Sequence, residues 1–174
     1  MPTKFWTDSN LEPKRQHRWN LFIPSRHLSF YVTKTTKPSF DIKETEHKYF
    51  GHSFWFPGHF TWKSVAMTLV DPFGANGTSG QLMRVLLDSG YSRPTQPTPV
   101  TLSKKEAVAA LGGGVTLKQY TTEANGQALV GETWDLKTPW IQSVNFGSLD
   151  YNSDAMVTVD VTIRYDYAIH SNQV

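Results

Sequence analysis

Residues 129–167 read LVGETWDLKTPWIQSVNFGSLDYNSDAMVTVDVTIRYDY, and the end of this stretch decides the fold class. Val157, Val159, Val161, Ile163, Tyr165 and Tyr167 alternate with Thr158, Asp160, Thr162, Arg164 and Asp166. Successive side chains of a strand point to opposite faces, so the pattern predicts one long half-buried strand with an apolar and a polar face. Asn152-Ser153-Asp154 ahead of it is turn chemistry, because short polar side chains hydrogen-bond the nearby backbone. Gly131–Trp134 reads as the end of an earlier strand. An irregular link over Asp135–Gln142, carrying Pro139, follows it.

The elements before this stretch agree with a β-rich chain. Val115–Thr122 and Gln127–Trp134 flank Asn125-Gly126, the strongest hairpin signal present. Arg18–Ile23 is a short strand stopped by Pro24, and His27–Thr36 is a second strand ended by Pro38. In Thr61–Val70, Trp62, Ser64, Ala66, Thr68 and Val70 alternate with Lys63, Val65, Met67 and Leu69, one face being more apolar as expected of a strand on the core, and Asp71-Pro72 closes the strand. Two helices interrupt the strands. Ser79 is the expected cap of Gly80–Ser89, which has Leu82, Val85 and Leu86 at helical spacing and Gly90 as its stop. Ser103-Lys104-Lys105-Glu106 fits a capping box for a shorter helix that ends at Gly112-Gly113-Gly114.

Residues 40–62, FDIKETEHKYFGHSFWFPGHFTW, combine Tyr49, Phe50, Phe54, Trp55, Phe56 and Phe60 with two glycines, a proline and three histidines. As a core hairpin this stretch would bury its rings. The glycines, proline and histidines suit a projecting loop better, and aromatics held on a turn are anchors at protein interfaces. The expectation is an inter-subunit loop. Phe5 and Trp6, in a polar arm over residues 1–16, either fold back on the domain or dock on a neighbouring subunit.

The chain has 174 residues, of which 39% are hydrophobic and 18% charged, which suits one globular domain. We divide it into an arm (1–16), a single β domain (17–170) with the projecting loop 40–62, and a tail (171–174). The formal net charge of +2 is too mild and too dispersed for a nucleic-acid binder. There is no cysteine, so disulfides and thiol chemistry are excluded. No apolar run approaches the ~20 residues that cross a bilayer, and the start lacks the apolar centre of a signal peptide. A cytoplasm-like compartment of synthesis is expected.

No catalytic constellation emerges, and no cofactor is expected. His47, His52 and His59, with Glu44 and Glu46 nearby, have no metal-ligand spacing and read as solvated or interface residues. Gly112-Gly113-Gly114 lacks the Lys and Ser/Thr of a phosphate loop and ends a helix instead of opening one. Asp150 and Asp154 flank a turn, where Asp is common for local reasons. The reading is non-enzymatic.

The order of elements over 129–167 resembles the end of tail tube proteins of contractile-tailed phages: a Gly-aromatic strand end, a Pro-containing link, FGSLDYNSD, then an alternating strand closing on YDY. The resemblance implies a mainly β fold, an antiparallel barrel or sandwich with one or two flanking helices. Its last strand would join a sheet running from subunit to subunit around a hexameric ring. It also implies that rings stack into a hollow conduit for DNA, with loop 40–62 reaching into the next ring. Tail sheath and baseplate or tube-initiator proteins are then the partners, and the virion is the location after assembly in the host cytoplasm. Thr158, Asp160, Thr162, Arg164 and Asp166 become the candidate lumen face, wetted but not adhesive to phosphate because two carboxylates offset one Arg. A tube initiator or terminator and a bacterial injection-system tube protein are alternatives within the same fold. A carbohydrate-binding β-sandwich is the alternative from another class.

Overall fold

The computed structural model describes residues 13–24, 28–95, 101–122 and 128–172. Phe5 and Trp6, His27 and the Asn125-Gly126 turn lie outside the described residues. Ten strands are present among the described residues: β1 (Trp19–Phe22), β2 (Val32–Thr35), β3 (Phe40–Tyr49), β4 (His52–Trp62), β5 (Val65–Val70), β6 (Gly114–Thr122), β7 (Ala128–Lys137), β8 (Trp140–Asn145), β9 (Thr158–Arg164) and β10 (Tyr167–Asn172). Two helices, α1 (Thr78–Asp88) and α2 (Lys104–Ala110), sit between β5 and β6.

The strands form two four-stranded antiparallel sheets, ordered β1-β6-β7-β10 and β2-β5-β9-β8, plus a separate two-stranded hairpin of β3 and β4. The mainly β, antiparallel expectation holds, and the form is a sandwich; no closed barrel forms among the described residues. Alternation supplies the core. Val159, Val161 and Ile163 of β9 and Val65, Met67 and Leu69 of β5 turn inward and join Leu21, Val115, Leu117 and Leu136 of the facing sheet in one buried cluster. Each such side chain contributes roughly 1.5–3 kcal/mol on leaving water. Leu82 and Val85 of α1 and Leu111 after α2 close one side of the cluster.

Several sequence expectations are corrected. The long alternating strand does not run unbroken to Tyr167: β9 ends at Arg164, and Tyr167 opens β10 in the other sheet. The reason is the supply of partners, since β5 begins at Val65 opposite Ile163 and offers no ladder beyond it. The Asp166 amide instead donates to the Lys137 carbonyl at 3.1 Å, and the chain crosses to pair with β7. β10 continues to Asn172, so the strand takes in the first part of the segment assigned to a tail. The irregular link predicted over Asp135–Gln142 is shorter than expected. β7 continues to Lys137, a tight turn follows at Thr138 (φ 52°) and Pro139, and β8 starts at Trp140.

The front half of the predicted 27–36 strand is a 3₁₀ turn over Leu28–Tyr31. Ser79 does not cap α1: Gly77 holds that position. Asp71 meets the open helix end from outside, accepting from the Ser79 amide at 3.1 Å and from the Ser79 hydroxyl. Such a carboxylate at a helix N-terminus satisfies free N–H groups and suits the dipole. Ser103 does precede α2, but its side chain makes no capping hydrogen bond.

Candidate assembly interfaces

The stretch expected to be a projecting loop is a hairpin, and its rings lie outside the core except for Trp62, which packs against it beside Tyr165. Tyr49, Phe50, Phe54, Trp55, Phe56 and Phe60 are all exposed, as are Phe40 and Ile42. Phe40 pairs with Trp62 and Ile42 with Phe60, and their rings pack at the root with the Phe40 and Phe60 centroids 4.7 Å apart. A register shift between Ile42 and Glu44 then exchanges the faces. The face that carries Phe40, Ile42, Phe60 and Trp62 continues as Glu44, Glu46, Pro57 and Trp55, while the opposite face carries Phe56, Phe54 and Tyr49 toward the tip. The hairpin therefore offers one apolar patch at its root and another, on its other side, near its end. His47 and His52 lie on the tip face; among the described residues no three metal-ligating side chains come together.

The second feature is the pair of open edges of the β2-β5-β9-β8 sheet; β1 and β10 are the edges of the other sheet. Among the described residues β2 pairs only with β5, and β8 only with β9. Unpaired strand edges are templates for another chain. Beside the β8 edge runs a groove of about 810 Å³ between that strand and the helices, lined by Leu86, Leu102, Ala107, Trp140, Val144 and Phe146 among others. Pattern reading missed this groove, because its walls come from elements far apart in the chain.

The polar face of the β2-β5-β9-β8 sheet holds Lys34, Thr68, Asp160 and Asn145 in one row of partners and Ala66, Thr162 and Ser143 in the next. Thr68 donates to Asp160 Oδ1 at 2.7 Å. Thr158 and Arg164 lie at the two ends of β9. Asp166 does not share this row, so the expected balance of two carboxylates against one Arg does not hold: on this face Lys34 and Arg164 stand against Asp160. Asp166 sits at the corner between sheets, accepting from Lys104 Nζ at 2.7 Å and from the Thr138 hydroxyl, and these bonds hold its carboxyl below the usual range. Arg164 and Asp166 both reach the rim of the groove.

Glu132 of β7 was not anticipated as a site. Its side chain is buried, yet Lys14, Lys37 and the Trp134 indole donate to it, and His170 Nε2 lies 3.5 Å away. Burial pushes this carboxyl up, but the bonds from Lys14, Trp134 and Lys37 and the charge of Lys37 outweigh it and bring it down to about 2. A buried carboxylate survives only with such partners.

Against known proteins, no family model matches the sequence, and no curated protein matches it. Solved structures do match. A chain of the cryo-EM structure of the anti-feeding prophage (AFP) tube-terminating cap superposes with a TM-score of 0.62 at 13% identity, covering 92% of this chain and 92% of that one. The chain shares the fold of that cap chain. A chain of the AFP baseplate matches with a TM-score of 0.61 at 15% identity, over 92% of this chain and 97% of the other. One from the sheath–tube complex of PVC, an extracellular contractile injection system, in its extended state reaches 0.59 at 15% identity, over 92% of each chain. The shared fold thus extends over nearly the whole chain.

Proposed function

We propose that this chain is a structural subunit of a tube, in which copies close a ring edge to edge and rings stack into a hollow conduit. The observation that carries the reading is the polarity of the two edges of the β2-β5-β9-β8 sheet. Each neighbour in the order β2-β5-β9-β8 is antiparallel to the next, so β2 and β8 run in opposite directions. Copies related by rotation alone then present β2 of one to β8 of the next as an antiparallel pair. An even number of strands per subunit keeps the alternation intact around a closed ring. Closure removes both edges of this sheet, leaving β1 and β10 as the edges of the other, and covers the groove beside β8.

In this reading six copies form each ring, and the polar face with Lys34, Asp160, Thr162 and Arg164, two cations against one carboxylate, lines the conduit. Asp160 offsets part of that positive charge and so limits counterion release by a passing polyanion. DNA delivered from a phage tail, with sheath and baseplate or initiator proteins as partners, is the use we assign. The virion is the location, reached after assembly in the host cytoplasm. The AFP and PVC neighbours favour a second reading, a tube subunit or terminator of an injection system with another cargo. No catalytic role is assigned.

Negative-stain electron microscopy of the purified protein over a concentration series tests the reading. Stacked hollow rings of about six subunits are expected. A monomer at every concentration, with a shift on a glycan array, would instead favour a carbohydrate-binding sandwich.

A further inference from the structure

The groove beside β8 and the start of the described chain lie at the same end of the β2-β5-β9-β8 sheet, on opposite edges. Trp140, which opens β8, pairs with Arg164, and the next pair, Ile141 with Ile163, continues across the sheet to Val65 at the start of β5. β2 ends at this level too, where the Thr36 amide donates to the Ala66 carbonyl at 2.9 Å. Lys37, the next residue, donates to Gln119 Oε1 and to Glu132. Residues 14 and 15 meet the same two side chains: Lys14 donates to Glu132, and the Arg15 carbonyl accepts from Gln119 Nε2 at 3.3 Å. The chain is thus anchored beside the β2 edge, and residues 1–12 precede that anchor.

The groove presents apolar surface to solvent. Leu102 is 64% exposed on its wall, and Met83 and Phe146 are also exposed there. Its volume of about 810 Å³ is the size of a site for a compact apolar group. Lys104, Arg164 and Asp166 stand at its rim, two cations against one carboxylate.

Residues 4–12 read KFWTDSNLE. Phe5 and Trp6 form an adjacent aromatic pair ahead of the anchor, and each such ring buries roughly 150–250 Å² when it is seated. The charges beside them are Lys4 against Asp8 and Glu12, a balance opposite to that of the groove rim. Strand spacing selects whose groove they meet. Within one copy, β2 and β8 are three spacings apart, roughly 14 Å, with the width of the sheet between them. When β8 of a neighbour pairs with β2, it lies a single spacing away, about 4.8 Å. An extended chain from Phe5 to Lys14 spans at most ~30 Å, which is enough to reach into that neighbour.

We propose that the arm of one copy crosses the β2–β8 junction and seats Phe5 and Trp6 in the groove of its neighbour in the same ring. The inference rests on the tube reading and names what fills the groove when the ring closes. Each copy gives an arm at one edge and receives one at the other, so the exchange is heterologous and runs once around the ring.

The chain has no cysteine, so paired substitutions report the contact directly. Thr7→Cys lies next to the aromatic pair and keeps both rings. Ser103→Cys is a small change on the groove wall, where the native side chain makes no capping hydrogen bond. Under mild oxidation, a mixture of the two single variants should give a covalent dimer, and each alone should give a far weaker band. The double variant should give a ladder that stops at the number of copies in the ring. A double variant whose two thiols close within one chain, leaving a monomer of raised mobility, would place the arm in its own groove and overturn the exchange. Rings in micrographs without any cross-link would also overturn it, while the tube reading stands. Neither rings nor cross-links at any concentration removes both. Independently, the Phe5→Ser/Trp6→Ser protein should keep its melting temperature but need about tenfold or more higher concentration to form rings, as expected when buried aromatic anchors are lost. Ring formation at the parent concentration would show that these rings seat nowhere in the assembly.

Discussion

Lys37 and Glu132 join the two sheets at one end of the sandwich. Lys37 Nζ, in the link from β2 to the hairpin, lies 3.1 Å from Glu132 Oε2 on β7 and 2.6 Å from Gln119 Oε1 on β6. Lys14 reaches the same carboxylate from the N-terminal side. One buried charge therefore ties the start of the described chain and the root of the hairpin to the facing sheet.

Stability should depend on acid through this residue. The folded carboxyl titrates at about 2, against 4.5 for the free group, so the ionised form favours the folded state. This contribution is complete above the unfolded value and is lost as pH falls from about 4.5 through about 2. Its size is on the order of 3 kcal/mol. Thermal melts of the protein and of Glu132→Gln across that window should show a lower melting temperature for the variant at neutral pH and a flatter acid limb.

Phe50→Asn should separate stability from assembly. Phe50 occupies the hairpin turn at φ 46°, a left-handed conformation that Asn tolerates, so the substitution should stabilise the hairpin by about 0.5–1 kcal/mol. Hydrogen exchange in β3 and β4 should slow, while stacking seen by sedimentation velocity should fall sharply. A destabilised hairpin would show that the packing of the Phe50 ring on Tyr49 within its own copy outweighs the turn strain.

Leu102→Asp should act on the ring alone. Leu102 is 64% exposed on the groove wall, so the monomer should change by no more than ~0.5 kcal/mol. In the ring, the added carboxylate would be buried beside β8 without a partner, and closure should fail. A melting temperature near that of the parent protein combined with loss of rings in micrographs is the expected pair of results.

Asp160→Lys should leave assembly intact and alter passage. Asp160 is exposed on the polar face and accepts only a surface hydrogen bond from Thr68. Reversing its charge places a ring of added cations along the proposed conduit, which should retard a nucleic acid. Normal tubes with slowed delivery are expected; unaltered delivery would argue that this face does not line the path. Asp166→Lys is not equivalent, because it also breaks the contacts to Lys104 and Thr138.

The sequence by itself determined the β class, both helices and the two-faced character of the strands at 61–70 and 157–167. Val65, Met67 and Leu69, and likewise Val159, Val161 and Ile163, declare their inward face through a period of two, a local property of the backbone. The aromatic crowding of residues 40–62 was equally visible as unsuited to a core. Where strands stop and what they meet was decided by tertiary structure. Alternation continues through Tyr165 and Tyr167, yet the chain changes sheets there because β5 offers no further partner and Lys137 does. The same holds for the groove beside β8, the register shift that turns the hairpin's apolar patch, and the buried Glu132. Each depends on residues many positions apart meeting in space, and no local pattern of side chains encodes which distant backbone will supply the missing hydrogen bonds.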